Sequence, residues 1–314
     1  MKNGFVKGLL AAALCAVLIF AAAGCSGGED KAQSTGKIDG ETSYPLTITD
    51  DLDKEVTFEA QPERVVSLSP ANTEILFALG LSDKVVGRTD YCNYPEEAQK
   101  VESIGDYNAP NVEKIISLSP DLVLATDFIN DDVRAQLEAA GAKVMVFKAA
   151  DIPTVEEDIH RVGQIMNVNG KATEIVDGME KKYTELKEKM NSVKTQKSVF
   201  IDIGNYYSSG ENSLLGTMLS DINAKNIAAD TGMDWPQLSV EQIIAANPDV
   251  YVSFFTTPED IKKVPGFDQI NAVKNDQIYY YEMLSPDSDL IQRAGPRIVD
   301  GLELLAKDVY PELF

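Results

Sequence analysis

Short apolar runs alternate with amphipathic segments along most of this chain. The runs are rich in β-branched residues and have the length of single strands: 65–68, 85–87, 122–124, 144–147, 199–203, 250–254 and 278–281. Residues 71–79, between the first two runs, have the pattern of a helix. Strands that are separated by helical segments are typical of parallel sheets. The pattern therefore predicts an α/β fold with parallel strands.

A weak internal repeat relates two parts of the chain. Residues 112–124 (VEKIISLSPDLVL) match residues 240–252 (VEQIIAANPDVYV) at a constant offset of 128 residues. Each copy predicts a helix, a Pro-Asp turn and a buried strand, with Asn111 and Ser239 in the N-cap positions. A pattern this short also recurs by chance in α/β proteins. As a true duplication, it predicts two similar lobes.

An aromatic residue precedes the predicted helix in both copies. The same offset aligns Tyr107 with Trp235, each in the loop just before its helix. Pro236 follows Trp235 directly, which favours a loop position over burial in a core. Two lobes that place an aromatic in the equivalent loop predict a ligand cleft between them.

A long helical pattern lies between the two copies, over residues 169–191. Its apolar residues fall at helical spacing: Ala172, Ile175, Val176, Met179, Tyr183, Leu186 and Met190. Asn169 is the predicted N-cap, and at about 1.5 Å per residue the helix would be roughly 33 Å long. This length suits a helix that bridges two lobes, although an ordinary surface helix has the same periodicity.

The start of the chain has the features of a targeting signal that is removed from the mature protein. Lys2 and Lys7 precede an apolar run over residues 9–23, which is shorter than the roughly 20 residues of a membrane span. Small residues then lead directly to Cys25, as in a bacterial lipoprotein processing site. The pattern predicts a signal peptide over residues 1–24 and lipidation of Cys25. A plain signal peptide with an incidental cysteine is the alternative.

Residues 25–43 are polar and rich in Gly and Ser, which predicts a flexible tether between the membrane and the folded part. The remainder is long enough for two domains of ordinary size. With the bridging helix at 169–191, the predicted N-terminal lobe is 44–168 and the predicted C-terminal lobe is 192–314.

The composition narrows the classes of partner. Lys and Arg number 28 against 50 Asp and Glu, a net charge of −22, which argues against binding to nucleic acid or to anionic lipid. Cys15 leaves with the signal and Cys25 takes the lipid, so Cys92 has no partner for an intrachain disulfide. We therefore expect a monomer that touches the membrane only through its lipid anchor.

The sequence contains no recognisable catalytic motif. It has no G-x-S-x-G, no Gly-rich phosphate loop, no G-x-G-x-x-G and no paired-cysteine motif. The one histidine, His160, lies in a predicted helix and is expected to be solvated, so neither a histidine metal site nor a Ser-His-Asp triad is expected. We expect no enzyme, no cofactor and no metal site. A surface-anchored hydrolase with paired carboxylates is the alternative from another class, supported only by the number of acidic residues.

Several segments resemble the periplasmic-binding proteins for vitamin B12 and ferric siderophores. They are VVSLSPANTEILFALG at 65–80, VGRTDYCNYP at 86–95, SSGENSL at 208–214, WPQLS at 235–239 and RAGPR at 293–297. The similarity covers residues 62–307. It implies two α/β lobes joined by one long helix, with the ligand between them. It also implies the substrate-binding component of an ABC importer, whose partners are a permease dimer and its ATPase subunits.

The resemblance also implies which residues contact the ligand. The expected ligand-binding residues are Tyr91, Tyr107, Trp235, Asp289, Arg293 and Tyr207. The aromatic side chains would supply rigid apolar area for a large planar ligand, while Asp289 and Arg293 would fix its polar groups. Arg297 is expected to form a structural ion pair.

Two departures from the vitamin B12 binders bear on the identity of the ligand. Thr126 and Ile203 stand where those proteins have larger aromatic rings, which reduces stacking on a corrin. An anionic siderophore would be expected to recruit Arg or Lys, and the candidates, Arg88 and Arg293, are few. A corrinoid is therefore the expected ligand, with a ferric siderophore or haem as the alternative.

Glu113 and Glu241 are equivalent under the repeat, each in the first turn of its predicted helix. An acid there is favourable to the helix dipole, and this reason alone would explain both residues. The resemblance implies a second role, because the vitamin B12 binders use acids at the matching positions to dock arginines of the permease. One carboxylate on each lobe would suit a two-fold symmetric permease dimer.

Overall fold

The structure, a computed structural model, describes residues 40–314. The predicted signal peptide, Cys25 and most of the predicted tether lie outside the described residues. The strands are β1 Leu46–Thr49, β2 Glu55–Phe58, β3 Val65–Ser67, β4 Val85–Arg88, β5 Leu122–Thr126, β6 Lys143–Phe147, β7 Ser198–Asp202, β8 Lys225–Asn226, β9 Val250–Ser253 and β10 Ile278–Tyr280. The α-helices are α1 Pro70–Ala78, α2 Val112–Ser117, α3 Asp131–Ala139, α4 Ile152–Ile165, α5 Asn169–Met190, α6 Leu214–Asp221, α7 Val240–Ala246, α8 Pro258–Ile261, α9 Asn271–Lys274, α10 Pro286–Gln292 and α11 Ile298–Val309.

Two parallel sheets form the centres of two lobes. The first has the strand order β4-β3-β5-β6 and the second the order β10-β9-β7-β8, with all neighbouring strands parallel. We call β1–β6 with α1–α4 the N-terminal lobe, and β7–β10 with α6–α11 the C-terminal lobe. The predicted α/β fold with two parallel-sheet lobes is confirmed.

The strands are continuous apolar runs because both faces of each sheet are covered. In β5, Leu122 and Leu124 belong to one hydrophobic core cluster, whereas Val123 and Ala125 belong to another. Successive side chains of a strand point to opposite faces, so both faces of β5 are buried. A hairpin of β1 and β2 pairs separately as a small antiparallel sheet.

Helix α5 joins the lobes. It packs on α4 of the N-terminal lobe and on α11 of the C-terminal lobe. Its buried stripe includes Ala172, Val176, Met179, Leu186 and Met190. The single bridging helix is confirmed, but its predicted N-cap is wrong. Val168 is in the N-cap position, and the Asn169 side chain donates to the Gly40 carbonyl (2.8 Å) and to Thr42 Oγ1 (3.0 Å). None of the helices within residues 40–314 is long and apolar enough to cross a membrane.

The helix caps of the two repeat copies form as predicted. Asn111 Oδ1 accepts a hydrogen bond from the Lys114 N–H (2.9 Å) at the start of α2. Ser239 Oγ accepts from the Gln242 N–H (3.2 Å) at the start of α7, within a capping box. These bonds satisfy backbone donors that the first helical turn leaves without partners.

The aspartate of the Pro-Asp turn also has the same function in both copies. Asp121 Oδ2 accepts from the Arg64 N–H (3.0 Å) just before β3, and Asp249 Oδ2 accepts from the Ser198 N–H (2.9 Å) at the start of β7. Each carboxylate therefore connects its Pro-Asp turn to a neighbouring strand. This strand is β3, which pairs with β5, in the first copy, and β7, which pairs with β9, in the second. The two copies therefore make the same turn-to-strand contact in the two lobes.

Candidate functional site

A cavity of about 720 Å³ lies between the two lobes. Residues at the carboxyl ends of the strands line it: Thr126 and Phe147 end β5 and β6, and Ile203 and Phe255 follow β7 and β9. In open α/β sheets, ligands bind at the carboxyl ends of the strands. The volume lies within the range of about 300–1,000 Å³ that small-molecule and cofactor sites occupy. This cavity is the candidate ligand site.

Aromatic side chains form much of the cavity wall. The aromatic residues that line it are Tyr107, Phe128, Phe147, Trp235 and Phe255. Phe128, Trp235 and Phe255 are 65%, 45% and 50% exposed, so their rings are available for contact with a ligand. Tyr107 lies on the N-terminal lobe and Trp235 on the C-terminal lobe, and both face the same cavity.

Phe128 and Phe255 were not predicted from the sequence, yet each follows the end of its strand by two residues, although the 128-residue offset aligns Phe128 with Thr256. Phe128 comes two residues after the end of β5, and Phe255 comes two residues after the end of β9. Gly204, with φ of +114°, passes so close to the Phe255 ring that a Cβ would lie 3.2 Å from it. An aromatic residue shortly after the predicted strand of each repeat copy is the sequence signal that would have identified them.

Thr126 supports an aromatic residue of the neighbouring loop. A hydrogen bond of 2.8 Å joins Tyr107 Oη and Thr126 Oγ1. Burial raises the pKa of the Tyr107 phenol, so the hydroxyl is protonated at neutral pH. The Thr126 hydroxyl thus orients the Tyr107 ring at the cavity.

The loop that contains Trp235 is fixed by backbone hydrogen bonds. The Ser208 N–H donates to the Pro236 carbonyl and the Gly210 N–H donates to the Asp234 carbonyl, both at 2.8 Å. Only glycine fits at position 210, because a Cβ would lie 1.8 Å from a carbonyl oxygen of the same loop. The Trp235 backbone is therefore held on both sides while its ring stays half-exposed.

Arg293 lies at the edge of the cavity in a buried ionic network. Its guanidinium contacts Glu74 Oε1 at 2.8 Å and Asp289 Oδ1 at 2.9 Å, and the residue is 8% exposed. Glu74 belongs to α1 of the N-terminal lobe and Arg293 follows α10 of the C-terminal lobe, so this pair connects the lobes. Arg297 also contacts Glu74, at 2.7 Å, and forms the structural ion pair expected for it.

Asp289 and Tyr91 belong to the same network and do not line the cavity. Asp289 accepts a hydrogen bond from Asn93 Nδ2 (3.0 Å), and burial raises its pKa while Arg293 opposes that shift. The Tyr91 carbonyl accepts from Arg293 Nη2 (3.3 Å), and the Tyr91 hydroxyl donates to Asp106 Oδ2 (3.0 Å). Their polar atoms bind other protein groups, and a role in ligand contact stays a prediction.

Tyr207 and Arg88 also lie outside the cavity wall. Tyr207 is 44% exposed and pairs with Gln237 in an isolated β-bridge beside the Trp235 loop. The Arg88 guanidinium donates to the carbonyls of Thr89 (2.9 Å) and Gln99 (3.0 Å). These backbone carbonyls bind the donors of Arg88, and a role for Arg88 or Tyr207 in ligand contact stays a prediction.

Lys148 joins the two lobes through ion pairs at the cavity. Its Nζ lies 3.8 Å from Asp127 Oδ2 and 3.8 Å from Asp234 Oδ2. Lys148 and Asp127 follow β6 and β5 in the N-terminal lobe, whereas Asp234 precedes Trp235 in the C-terminal lobe. Burial raises the pKa of Asp127, and Lys148 opposes that shift.

Glu113 and Glu241 are both exposed in the first turns of α2 and α7. Each comes six residues after a cavity-lining aromatic, Tyr107 or Trp235, so the two carboxylates occupy equivalent places on the two lobes. Hydrogen bonds from its own backbone N–H and from the Ser239 hydroxyl lower the pKa of Glu241. This carboxylate is charged at neutral pH.

Within residues 40–314, no group of three or more His, Cys, Asp or Glu side chains is arranged to hold a metal ion. His160 is half-buried in α4, and Cys92 is buried with Thr73 and Thr89 hydroxyls beside its Sγ. The cavity offers aromatic faces, hydroxyl groups and a few charges. A cavity of this kind between two parallel-sheet lobes with one connecting helix defines a solute-binding protein.

The chain belongs to the periplasmic binding protein family, whose model matches residues 65–283. It is 39% identical to the uncharacterized ABC transporter substrate-binding lipoprotein YvrC of Bacillus subtilis, over 98% of each chain. It is 30% identical to the vitamin B12-binding protein of Salmonella choleraesuis, over 75% of this chain and 86% of that protein. A crystal structure of a possible iron-binding (periplasmic solute-binding) protein from Staphylococcus epidermidis is 30% identical, with a TM-score of 0.67 over 80% of this chain and 100% of that chain.

Proposed function

We propose that this chain is the substrate-binding lipoprotein of an ABC importer, and that it captures a corrinoid between its two lobes and delivers it to the permease. The observation that carries this proposal is the inter-lobe cavity with aromatic side chains from both lobes. The relative from Bacillus subtilis is named an ABC transporter substrate-binding lipoprotein, and the relative from Salmonella choleraesuis is named a vitamin B12-binding protein. These names favour a binding role over the surface-anchored hydrolase.

The charges of the cavity favour a corrinoid over an anionic siderophore. Lys148 and Arg293 are the cations that line it, and acidic side chains are already bound to both. A chelate with several negative charges would need free Arg or Lys side chains. The planar corrin instead matches exposed aromatic faces such as those of Trp235 and Phe128, which supply contact area without charge.

Haem or another iron chelate is the second candidate, and one residue favours it. Tyr107 presents a phenol at the cavity, and tyrosine is among the side chains that bind haem iron in proteins. The structural relative from Staphylococcus epidermidis is described as a possible iron-binding protein. In this alternative the Tyr107 hydroxyl would release its hydrogen bond to Thr126 and bind ferric iron.

The ligand class is tested by calorimetric titration of the protein lacking residues 1–25. Cyanocobalamin, haemin and a neutral and an anionic ferric siderophore are the ligands, and the same preparation is assayed for turnover of ester, phosphate and glycoside substrates. The proposal predicts tightest binding of cyanocobalamin and no turnover. Tighter binding of haemin or of a ferric siderophore would replace the corrinoid with the second candidate, and turnover would contradict the binding role itself.

We further propose that Cys25 is lipidated and anchors the protein outside the cytoplasm. The sequence before Cys25 and the lipoprotein name of the Bacillus subtilis relative support this proposal. A single lipidated cysteine anchors a chain without spanning the membrane. In cell fractions, the Cys25→Ala variant should be released from the membrane or stay unprocessed, whereas wild-type behaviour of this variant would contradict the anchor.

Glu113 and Glu241 are our proposed docking points for the permease. Both side chains are exposed, and each follows a cavity-lining loop by the same number of residues. A permease that faces the cleft would meet one carboxylate from each lobe, in an arrangement that suits a two-fold symmetric partner. Arginine side chains of the permease would be the complementary groups.

A further inference from the structure

The charged side chains that line the cavity differ in how the protein neutralises them. They are Asp127, Lys148, Asp158, Asp234 and Arg293. Arg293 contacts Glu74 and Asp289, and Arg297 also contacts Glu74, so this inter-lobe network contains two cations and two carboxylates. It contributes no net charge to the cavity.

The second group of charges consists of Asp51, Asp158 and Arg161, and it has more carboxylates than cations. Asp158 and Asp51 share the guanidinium of Arg161, which lies 2.6 Å from Asp51 Oδ1. Burial raises the pKa of Asp158 well above its ordinary value, although the Arg161 guanidinium opposes that shift. With two carboxylates for one guanidinium, this group supplies no free cation to the cavity.

The third group consists of Lys148, Asp127 and Asp234, which we call the Lys148 bridge. It has two carboxylates and one ammonium group, so its charges do not balance. Asp127 and Asp234 both contact the one ammonium group, at 3.8 Å each. The backbone of Lys148 is fixed because its N–H donates to Asp51 Oδ2 at 2.6 Å. The half-exposed ammonium lies between two carboxylates of opposite lobes, so the three groups together have one negative charge in excess beside Trp235.

We propose that Asp127, Lys148 and Asp234 together determine the charge selectivity of the cavity, admitting uncharged or cationic metal chelates and rejecting polyanionic ones. The two carboxylates neutralise the ammonium charge that would otherwise attract an anion, and the excess negative charge repels it. That the ligand is a metal chelate rests on the proposed function. The negative potential beside Trp235 is a property of the ligand-free protein and is tested separately.

The potential is measured by collisional quenching of Trp235, which is the only tryptophan of the chain. Iodide, caesium and neutral acrylamide are compared at constant ionic strength, where charges within about 10 Å of the ring still act on the quencher. In the wild type, caesium should quench more than iodide after normalisation to acrylamide. Asp234→Asn should raise the normalised iodide quenching by roughly twofold to threefold, as expected for loss of one nearby charge in water.

Two variants complete the quenching experiment. Lys148→Met removes the cation and should lower iodide quenching below that of the wild type. Glu303→Gln removes a half-exposed carboxylate of α11 that does not line the cavity, and should leave the iodide and caesium values unchanged. Equal access of iodide and caesium in the wild type, or no response to Asp234→Asn, would overturn the proposal.

The consequence for binding is measured with neutral ferrichrome and polyanionic ferric enterobactin as probes, beside cyanocobalamin. Asp127→Asn combined with Asp234→Asn should raise the affinity for the anionic probe relative to the neutral probe by roughly tenfold. A ratio that does not move would overturn the selectivity. If cyanocobalamin fails to bind while the quenching asymmetry is present, the corrinoid assignment fails and the charge selection stands.

Discussion

Trp235 keeps nearly half of its side chain exposed because backbone bonds, and not packing of the ring, hold its loop. Ser208 and Gly210 donate to carbonyls on either side of it, at 2.8 Å each. Exposed aromatic rings in a cavity are poor for stability but good for binding, since a ligand buries apolar area that the folded protein leaves in water. This exposure is what the proposed ligand-binding role of Trp235 requires.

Trp235→Ala should weaken ligand binding by about 1–3 kcal/mol, the range for loss of an aromatic anchor. The melting temperature should change little, because the ring is 45% exposed and its backbone bonds persist. Titration calorimetry and thermal unfolding measure the two effects. Tyr280→Ala, which removes a 36% exposed ring outside the cavity wall, is the matched control and should leave affinity unchanged. A large loss of stability with Trp235→Ala would instead indicate a core residue.

The sequence predicted the position of a residue where a local pattern indicated it. It did not predict contacts with residues that are distant in the sequence. Tyr107 and Trp235 were found because a repeat aligns their loops. The pairing of Arg293 with Glu74 was not found, because these residues are 219 positions apart and no local pattern joins them. Long-range ion pairs depend on how the lobes pack, which the hydrophobic periodicity of one segment does not encode.

At the scale of elements, the predicted strands and the bridging helix all formed, because apolar periodicity reports directly on which faces are buried. The end of a helix was less predictable. Asn169 has the side chain of an N-cap, but its amide donates to acceptors at Gly40 and Thr42, which are distant in the sequence. Tertiary contacts took precedence over local capping at this position.

The interface of α4 and α5 contains a carboxyl group that should respond to pH. Burial, with the nearby charges of Glu180 and Asp151, raises the pKa of Glu156 to about 7. Its Oε1 is buried without a hydrogen-bond partner within the described residues. Because the folded state holds the proton more tightly than the unfolded state, the ionised form destabilises the fold. Stability should therefore fall as pH rises from about 4.3, the ordinary value for glutamate, to about 7.

Glu156→Gln imitates the protonated form and should remove this loss. We expect a gain of about 1–2 kcal/mol in the free energy of unfolding at pH 8, and little difference from the wild type at pH 4. Denaturant unfolding at a series of pH values measures both. Glu188→Gln, at an exposed position of α5, is the control and should show no comparable gain. A Glu156→Gln curve parallel to that of the wild type would contradict the buried-carboxyl account.

At the scale of the whole molecule, the two lobes are joined by more than α5. Glu74 of α1 is 3% exposed and contacts Arg293 at 2.8 Å and Arg297 at 2.7 Å, both in the C-terminal lobe. Gly295, between the two arginines, packs at van der Waals distance from α1, so that its Cβ position would lie 3.7 Å from the Glu74 Cβ. The lobes are therefore connected both by α5 and by this ion-pair network.

Glu74→Ala should be strongly destabilising, because it leaves two arginines with too few partners in a buried interface. A loss of about 3–5 kcal/mol is typical when one partner of a buried ion pair is removed. Glu63→Ala removes the exposed partner of Lys84 and should cost no more than about 1 kcal/mol. The free energy of unfolding, from denaturant titration, compares the two. Similar small losses for both variants would show that the Glu74 contacts do not hold the lobes together.

The two lobes should also act together on the permease. Glu113→Ala and Glu241→Ala should each cost no more than about 0.3–1 kcal/mol in stability, the contribution of an acid in a first helical turn. Ligand affinity should stay unchanged, while uptake in a reconstituted transporter should drop, and drop further when both residues are changed to Arg. Glu259→Arg, an exposed first-turn acid of α8, is the control and should transport normally. Normal uptake by the double Glu→Arg variant would contradict the docking role.

Capture of the ligand between the lobes is the central claim, and the emission of Trp235 tests it most directly. Trp235 is the only tryptophan and lines the cavity, so a ligand bound there must change its environment. Titration with cyanocobalamin should quench Trp235 emission saturably, with the same dissociation constant that calorimetry gives. Tight binding by calorimetry without a change in Trp235 emission would contradict the account, because the ligand would then lie outside the inter-lobe cavity.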